Sequence, residues 1–246
     1  DQEIRSIRGN KISMIFQDPL SSFNPYLRLS EQIIEPLIHH QQWKRTDALK
    51  IAIDILAQTG IKDPENRINA YPHQFSGGML QRVMIAMALV TNPQLIIADE
   101  PTTALDVTTQ AQILNLMKKL QQKYSMSIIF ITHNLGIAAG FCDRVLVMYA
   151  GTILESADTR SLFKYTAHPY TKALIRCVPT LTQTSESLYG LGRPPYDPTL
   201  LISGCPFASR CNFTSDICKN TAPELTSIGS GHHTACIRVK NGEISL

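Results

Sequence analysis

Two adjacent carboxylates, Asp99 and Glu100, follow the apolar run Leu95-Ile96-Ile97-Ala98. A buried strand that ends this way delivers negative charge to the carboxyl edge of a sheet, where parallel α/β folds collect their ligands. One carboxylate there can hold Mg²⁺, directly or through water, and the second can orient and activate a water that attacks a γ-phosphate. Asp99 takes the first role and Glu100 the second. An apolar run closed by Asp-Glu is also an ordinary capped strand end, so the assignment leans on its neighbours. Ser76-Gly77-Gly78 opens a helical pattern, where a hydroxyl and unshielded amides at the positive amino end can face an anion. His133 follows the apolar segment 127–132, which places an imidazole at the same edge as Glu100, able to donate to a γ-phosphate. Gln17 ends the strand-like segment 11–17 and can reach the Mg²⁺ or the attacking water.

The segments that position these residues read as an α/β alternation. Residues 95–98 and 127–132 are apolar without alternation and enclose a helical pattern over 108–124, which predicts a parallel sheet buried on both faces with right-handed crossovers. Asp18-Pro19 closes the first strand, and Ser21, Ser22, Asn24 and Pro25 mark a loop. Helical spacing follows over 31–40 and 47–58, with Thr46 as the expected cap of the second helix and Gly60 as its stop. After Ser76 the positions Met79, Val83, Met87 and Val90 make a buried stripe that ends at Asn92-Pro93. Residues 144–149 and 152–155 flank Ala150-Gly151 as a hairpin at the end of that sheet. Residues 181–198 are rich in Thr, Ser, Gly and Pro and read as a linker.

A chain of 246 residues, 43% hydrophobic and 17% charged, buries a sizeable core as one large domain plus a small appendage. The net charge of +3 is too small to argue for nucleic acid or an anionic membrane surface. The longest apolar stretches, 85–90 and 95–98, fall far short of the roughly 20 residues that cross a bilayer, so any membrane connection runs through a partner. The chain opens at Asp1 without a targeting pattern, which is the expectation for a cytosolic protein or a start within a longer one. Cys142 and Cys177 stand alone, whereas Cys205, Cys211, Cys218 and Cys236 fall within the last 42 residues. Their spacing suits four thiolates on a zinc ion or on an iron–sulfur cluster, with reduced free thiols as the plainer reading. His232 and His233 beside them read as surface residues.

In this order the residues resemble the ATPase domains of ABC transporters. Gln17 matches the Q-loop, 75–82 (FSGGMLQR) the signature sequence, 95–100 the Walker B strand, Ala104-Leu105-Asp106 the D-loop and His133 the switch histidine. Met79 stands where the family commonly has Gln, while the serine and both glycines remain. The resemblance implies an α/β fold of the P-loop NTPase type, a parallel sheet core with an inserted α-helical subdomain, plus a small Cys-containing C-terminal segment. It divides the chain into 1–18 (core with Q-loop), 19–92 (helical subdomain with signature), 93–157 (core with Walker B, D-loop and switch histidine) and 158–246 (C-terminal region). His168-Pro169-Tyr170-Thr171, the Pro-rich stretch 192–198 and Gly204-Cys205-Pro206-Phe207 with Arg210-Cys211 are similar to the tail of oligopeptide, dipeptide and nickel importer ATPases.

That family implies ATP and Mg²⁺, with Ser76, Gly77, Gly78 and Asp106 in nucleotide binding, Asp99 and Gln17 at the metal, and Glu100, His133 and Gln17 in catalysis. It also implies a [4Fe-4S] cluster at the four clustered cysteines, with Zn²⁺ as the alternative. The implied partners are a second ATPase subunit, homologous or identical, two transmembrane permease subunits and, indirectly, an extracytoplasmic peptide-binding protein, at the cytoplasmic face of the inner membrane. No Gly-x-x-x-x-Gly-Lys-Ser/Thr loop occurs in the chain. The expectation is therefore an N-terminal truncation that exposes sheet edges and leaves the chain inactive alone. The alternative is a non-catalytic half that lends its signature motif to another subunit's ATP.

Overall fold

A computed structural model describes residues 2–103, 105–178 and 203–246. The linker at 181–198, the Pro-rich stretch 192–198 within it and Ala104 lie outside the described residues. Two compact units divide the chain, Asp1–His133 and Asn134–Leu246.

In the first unit, α1 (Gln2–Ile7) precedes β1 (Ile12–Ile15), α2 (Pro19–Ser22), α3 (Leu29–Gln41), α4 (Arg45–Gln58), α5 (Pro64–Arg67) and α6 (Gly77–Leu89). Strand β2 (Leu95–Asp99), α7 (Val107–Tyr124) and β3 (Ser127–Ile131) complete it. The three strands pair in parallel in the order β1-β2-β3, with Ile15 opposite Ala98 and Asp99 opposite Ile131. Helix α7 is the crossover between β2 and β3, as the strand–helix–strand pattern requires.

One face of this sheet is covered: Ser13, Ile15, Ile96 and Ala98 are buried, and α6 packs on β1. Met14, Phe16, Ile129 and Ile131 on the other face stay 37–50% exposed, so the expected burial of both faces does not hold. An unbroken apolar run fits a pleated strand whether or not both of its faces are covered, and composition alone does not separate the two cases.

Three local expectations change for similar reasons. The segment after Gln17 begins with α2 rather than a loop, because Asp18 accepts from the Leu20 amide at 3.0 Å and Pro19 occupies the first turn, a start signal as much as a turn signal. Helix α4 begins at Arg45 behind Lys44, so Thr46 lies inside the first turn and caps nothing. Helix α6 packs against α2, α3, α4 and β1 and buries Leu80, Met84, Ile85 and Leu89; of the stripe read from its spacing, Val83 and Val90 are buried but Met79 and Met87 are only half-buried. Burying each such side chain contributes about 1.5–3 kcal/mol.

The second unit holds α8 (Leu135–Phe141), β4 (Arg144–Tyr149), β5 (Thr152–Asp158), α9 (Thr159–Lys164) and α10 (Pro169–Arg176). Beyond the undescribed segment come α11 (Asp216–Asn220), β6 (Thr226–Gly229), β7 (His232–Thr234) and α12 (Ile237–Lys240). The hairpin β4-β5 turns through Ala150 and Gly151, both at positive φ (47° and 77°), the backbone that a two-residue hairpin turn of type I′ needs. It does not extend the parallel sheet. It forms an antiparallel sheet of its own, in the order β4-β5-β7-β6.

Strand β5 is central there, and Leu154, Glu155, Ser156 and Ala157 are buried in succession. Glu155 is fully buried; its Oε1 takes the Ala167 amide at 2.6 Å and lies 2.8 Å from Nε2 of His232. Thr234, one turn of the pleat along β7, donates its hydroxyl to the Ala167 carbonyl at 2.7 Å. His232 is therefore not a surface residue: it is 7% exposed and pins β7 to β5. Removing one member of such a pair leaves the other buried without its partner. His232→Ala is expected to destabilise the protein by about 3–5 kcal/mol in urea unfolding, while substituting the half-buried His233 leaves the midpoint nearly unchanged.

Candidate functional site

The parallel register carries Gln17, Asp99, Glu100 and His133 to one edge of the first unit's sheet, each just at or beyond the carboxyl end of its strand. Glu100 is the centre of the group. Its amide donates to the Ile131 carbonyl at 3.0 Å, which ties the start of the post-β2 turn to the end of β3. Its Oε2 accepts from Nε2 of Gln17 and from the Thr103 hydroxyl, both at 2.9 Å, and its Oε1 lies 3.0 Å from Nδ1 of His133. The His133 contact first, and the Thr103 hydroxyl next, hold the Glu100 carboxyl below its ordinary value of 4.5. Glu100 sits at φ 44°, a left-handed backbone that costs a non-glycine residue of order 1–3 kcal/mol and is common at functional turns.

Asp99 closes β2 beside this group, and its carboxylate makes no hydrogen bond among the described residues. The side-chain carbonyl of Gln17 is likewise uncommitted, because only the amide nitrogen is engaged. These two oxygens are the donors on hand for a hard divalent cation such as Mg²⁺. Thr103 was not singled out from the sequence. Its signal was its place three residues beyond Glu100, where a tight turn, closed by the Thr103 amide on the Glu100 carbonyl at 3.2 Å, folds the hydroxyl back on the carboxylate.

Ser76, Gly77, Gly78 and Asp106 form a second group. Ser76 stands at the N-cap of α6 with no side-chain capping bond, and both Ser76 and Gly77 are exposed. Their hydroxyl and amides therefore face outward at the positive end of a 13-residue helix. A Cβ on Gly78 would come within 2.9 Å of Cγ2 of Thr109, so a larger residue there would have to push the Thr109 methyl aside at the start of α7. Asp106 caps α7 by accepting from the Thr109 amide at 2.9 Å, and the hydrogen bonds from Thr109 keep its carboxyl below the usual range. Arg82, one turn further along α6, braces the same assembly by donating to the Thr59 carbonyl (2.9 Å) and to Oε1 of Gln112 on α7 (3.1 Å).

In the second unit the four clustered cysteines come together. Cys205, Cys211, Cys218 and Cys236 all line one cavity, together with His168, Phe207 and Ala235 among others, and none is in a disulfide. A Cβ on Gly204 would come within 2.4 Å of the backbone carbonyl oxygens of Cys218 and Lys219, so only glycine lets the Cys205 amide reach the Cys218 carbonyl at 2.7 Å. Burial raises the thiols of Cys205 and Cys236, and pushes Cys211 up to about 11. Neutral thiols are thus favoured unless a cation shares the cavity. Among the described residues no three His, Cys, Asp or Glu side chains are gathered closely enough to hold a metal ion as they stand.

The Glu100 contacts make a direct prediction about protonation. A ¹³C-detected titration is expected to give Glu100 a pKa below 4.5, moving back towards 4.5 in His133→Ala. The sign follows from the depression: the contacts stabilise the fold above the unfolded carboxyl pKa, and that contribution disappears as pH falls through the lower folded value.

Residues 1–103 match the family model described as ABC transporter, and residues 154–218 match the one described as the oligopeptide/dipeptide transporter C-terminal region. The chain is 46% identical to the oligopeptide transport ATP-binding protein OppD of Salmonella typhimurium over 97% of its own length and 71% of that protein. It is also 46% identical to the dipeptide transport ATP-binding protein DppD of Bacillus subtilis, over 96% of its length and 70% of that protein. Among solved structures, a dimeric ATP-binding cassette in a post-hydrolysis state with ADP and Pi superposes with a TM-score of 0.57 at 33% identity, covering 65% of this chain and 68% of that one. CbiO1 of Clostridium perfringens, part of an ABC transporter complex, gives 0.56 at 26% identity, covering 66% and 61%. No described helix is long and apolar enough to cross a membrane. With its α/β cassette fold and a peptide-importer C-terminal region, the chain belongs to the ATP-binding subunits of peptide-importing ABC transporters, a family of ATPases that works on ATP and Mg²⁺.

Proposed function

We propose that this chain energises the import of di- or oligopeptides. It sits at the cytoplasmic face of the inner membrane against two transmembrane permease subunits and pairs with a second, homologous or identical, ATPase subunit. An extracytoplasmic binding protein supplies the peptide. Residues 19–92 serve as the helical subdomain, 1–18 and 93–157 as parts of the nucleotide-handling core, and 158–246 as the peptide-importer region. The observation that carries the chemistry is the convergence of Gln17, Thr103 and His133 on the Glu100 carboxylate at the carboxyl edge of a parallel sheet.

On this reading Glu100, kept ionised by its partners, takes a proton from a water held over the γ-phosphorus of ATP. The new P–O bond forms as the bond to the β-phosphate oxygen breaks, releasing ADP and phosphate. Gln17 and His133 hold Glu100 and the water in line, and His133 donates to a γ-phosphate oxygen once ATP displaces part of its contact with Glu100. Asp99 and Gln17 would hold Mg²⁺, which would supply charge neutralisation to the nucleotide's phosphates. Ser76, Gly77 and Gly78 face outward and so serve a nucleotide held by the partner subunit, with Asp106 alongside.

A second reading rests on Ser76 and Gly77, which face outward at the amino end of α6: the chain acts as a non-catalytic half that completes the site of another subunit, one that carries a Gly-x-x-x-x-Gly-Lys-Ser/Thr loop for the phosphates. Expected outcomes separate the two. The purified chain alone shows no Mg²⁺-dependent ATP turnover, and measurable turnover would count against the second reading. Mixed with an ATPase subunit that carries the loop, the chain raises that subunit's turnover, and Ser76→Ala removes about 10²-fold of the gain.

The four clustered thiols we assign to a [4Fe-4S] cluster, with Zn²⁺ as the alternative. Support comes from their shared cavity. A cluster binds each thiolate through a different iron, whereas one zinc needs all four sulfurs within about 2.3 Å of a single point. Anaerobic reconstitution with iron and sulfide is expected to give a broad brown absorption and about four iron atoms per chain, both lost in Cys211→Ser. One zinc and no visible absorption would sink the cluster in favour of the ion.

A further inference from the structure

Gln58 is the last residue of α4, half-buried, and no step above uses it. Its Oε1 accepts from Nζ of Lys123 at 2.7 Å and from the Tyr124 hydroxyl at 2.5 Å, both at the carboxyl end of α7. Its Nε2 donates to Oδ2 of Asp54, one turn back along α4, at 2.5 Å. The carboxamide is thereby oriented. Turned over, it would set its NH₂ group against the Lys123 ammonium, which has only hydrogens to offer, and its oxygen against the Asp54 carboxylate.

The residues that follow extend this junction to α6. The Thr59 carbonyl accepts from Nη1 of Arg82 at 2.9 Å, and Nη2 of Arg82 donates to Oε1 of Gln112 in α7 at 3.1 Å. Gly60 ends α4 at φ 83°, and a Cβ there would come within 2.8 Å of Nη1 of Arg82. Residues 58–60 are thus the point at which α4, α6 and α7 meet, and they reach α7 at two places, Gln112 and 123–124. These lie about 17 Å apart along the helix. A helix held at one place can pivot about it, whereas two separated holds fix its direction. Helix α4 packs on α6, which carries Ser76 and Gly77 at its amino end, and α7 carries Asp106 at its own.

We infer that Gln58 is a positioning residue: by taking Lys123 and Tyr124 on one carboxamide oxygen it fixes α4 against α7, and so aims Ser76 and Gly77 at the nucleotide of the partner subunit. This rests on the reading of Ser76 and Gly77 given above. Alignment of groups that face a reacting phosphate is worth rate rather than affinity, because a small misplacement is felt most in the transition state.

The test uses the full chain. Nitroxide-bearing amino acids at the exposed positions Lys50 of α4 and Lys119 of α7 report the spacing of the two helices by pulsed EPR. Wild type is expected to give one narrow distance distribution. Gln58→Leu, which keeps the volume and removes the acceptor, broadens it. The double exchange Asp54→Asn with Gln58→Glu swaps amide and carboxylate, keeps an acceptor for Lys123 and Tyr124, and restores the narrow distribution. Mixed with an ATPase subunit that carries a Gly-x-x-x-x-Gly-Lys-Ser/Thr loop, Gln58→Leu lowers the maximal stimulated turnover about tenfold, while the chain concentration that gives half of the maximum stays the same. A role in folding alone would leave that maximum, per folded chain, unchanged. An unbroadened distribution in Gln58→Leu overturns the inference, and so does a full stimulated maximum or a double exchange that restores neither readout. Wild-type chain that gives no stimulation overturns the Ser76 reading and this inference together, whereas a stimulating wild type with an unaffected Gln58→Leu overturns this inference alone. Should Gln58→Leu fail to fold, Lys123→Met combined with Tyr124→Phe removes the two donors from the other side and decides by the same readouts.

Discussion

Parallel pairing of β1, β2 and β3 in one register is the constraint from which the meeting of Gln17, Asp99, Glu100 and His133 follows. Strand ends that run the same way finish at the same side, so Gln17, Asp99, Glu100 and His133, far apart in sequence, become neighbours without any long-range search by their side chains. The amide of Glu100 locks onto the Ile131 carbonyl, and three side chains then close on its carboxylate. Had one strand been reversed, or slipped by a residue, the same side chains would have pointed to opposite faces. The chemistry at the edge is therefore a property of the sheet first and of the residues second.

The second unit is organised differently, around a buried, hydrogen-bonded carboxyl group. Glu155 in the central strand reaches the loop before α10 and His232 on β7, and Thr234 completes the circuit to Cys236. An apolar residue at 155 would pack as well, but it would not dictate where Ala167 and His232 must lie. The polar network specifies position at some cost in desolvation, a trade often made where a pocket has to keep its shape.

Much of the first site was legible because apolar strands followed by polar residues announce both a sheet and its functional edge. Gln17, Asp99, Glu100, His133 and the Ser76 turn were all visible in this way. Thr103 was not, since its role depends on how tightly the chain turns after Glu100. His232 was misread for a related reason: beside half-buried His233 it looks like a surface pair, and only pairing between β5 and β7 reveals which of the two points inward. The covering of the parallel sheet was also beyond reach, because Met14, Phe16, Ile129 and Ile131 have the composition of core residues whether or not anything lies over them. The four cysteines lie near one another in sequence and line one cavity, whereas the histidine that shares it belongs to a separate motif upstream.

The left-handed backbone at Glu100 bears on how this carboxylate should be interrogated. Replacement by glycine or asparagine relaxes the main chain while deleting the carboxylate, so any gain in thermal resistance and any change in function arrive together and blur each other. Glutamine keeps the side chain's volume and the same uneasy dihedral, and removes only the ability to bear a negative charge. Of the obvious exchanges, that one alone reports on chemistry without also rewarding the fold.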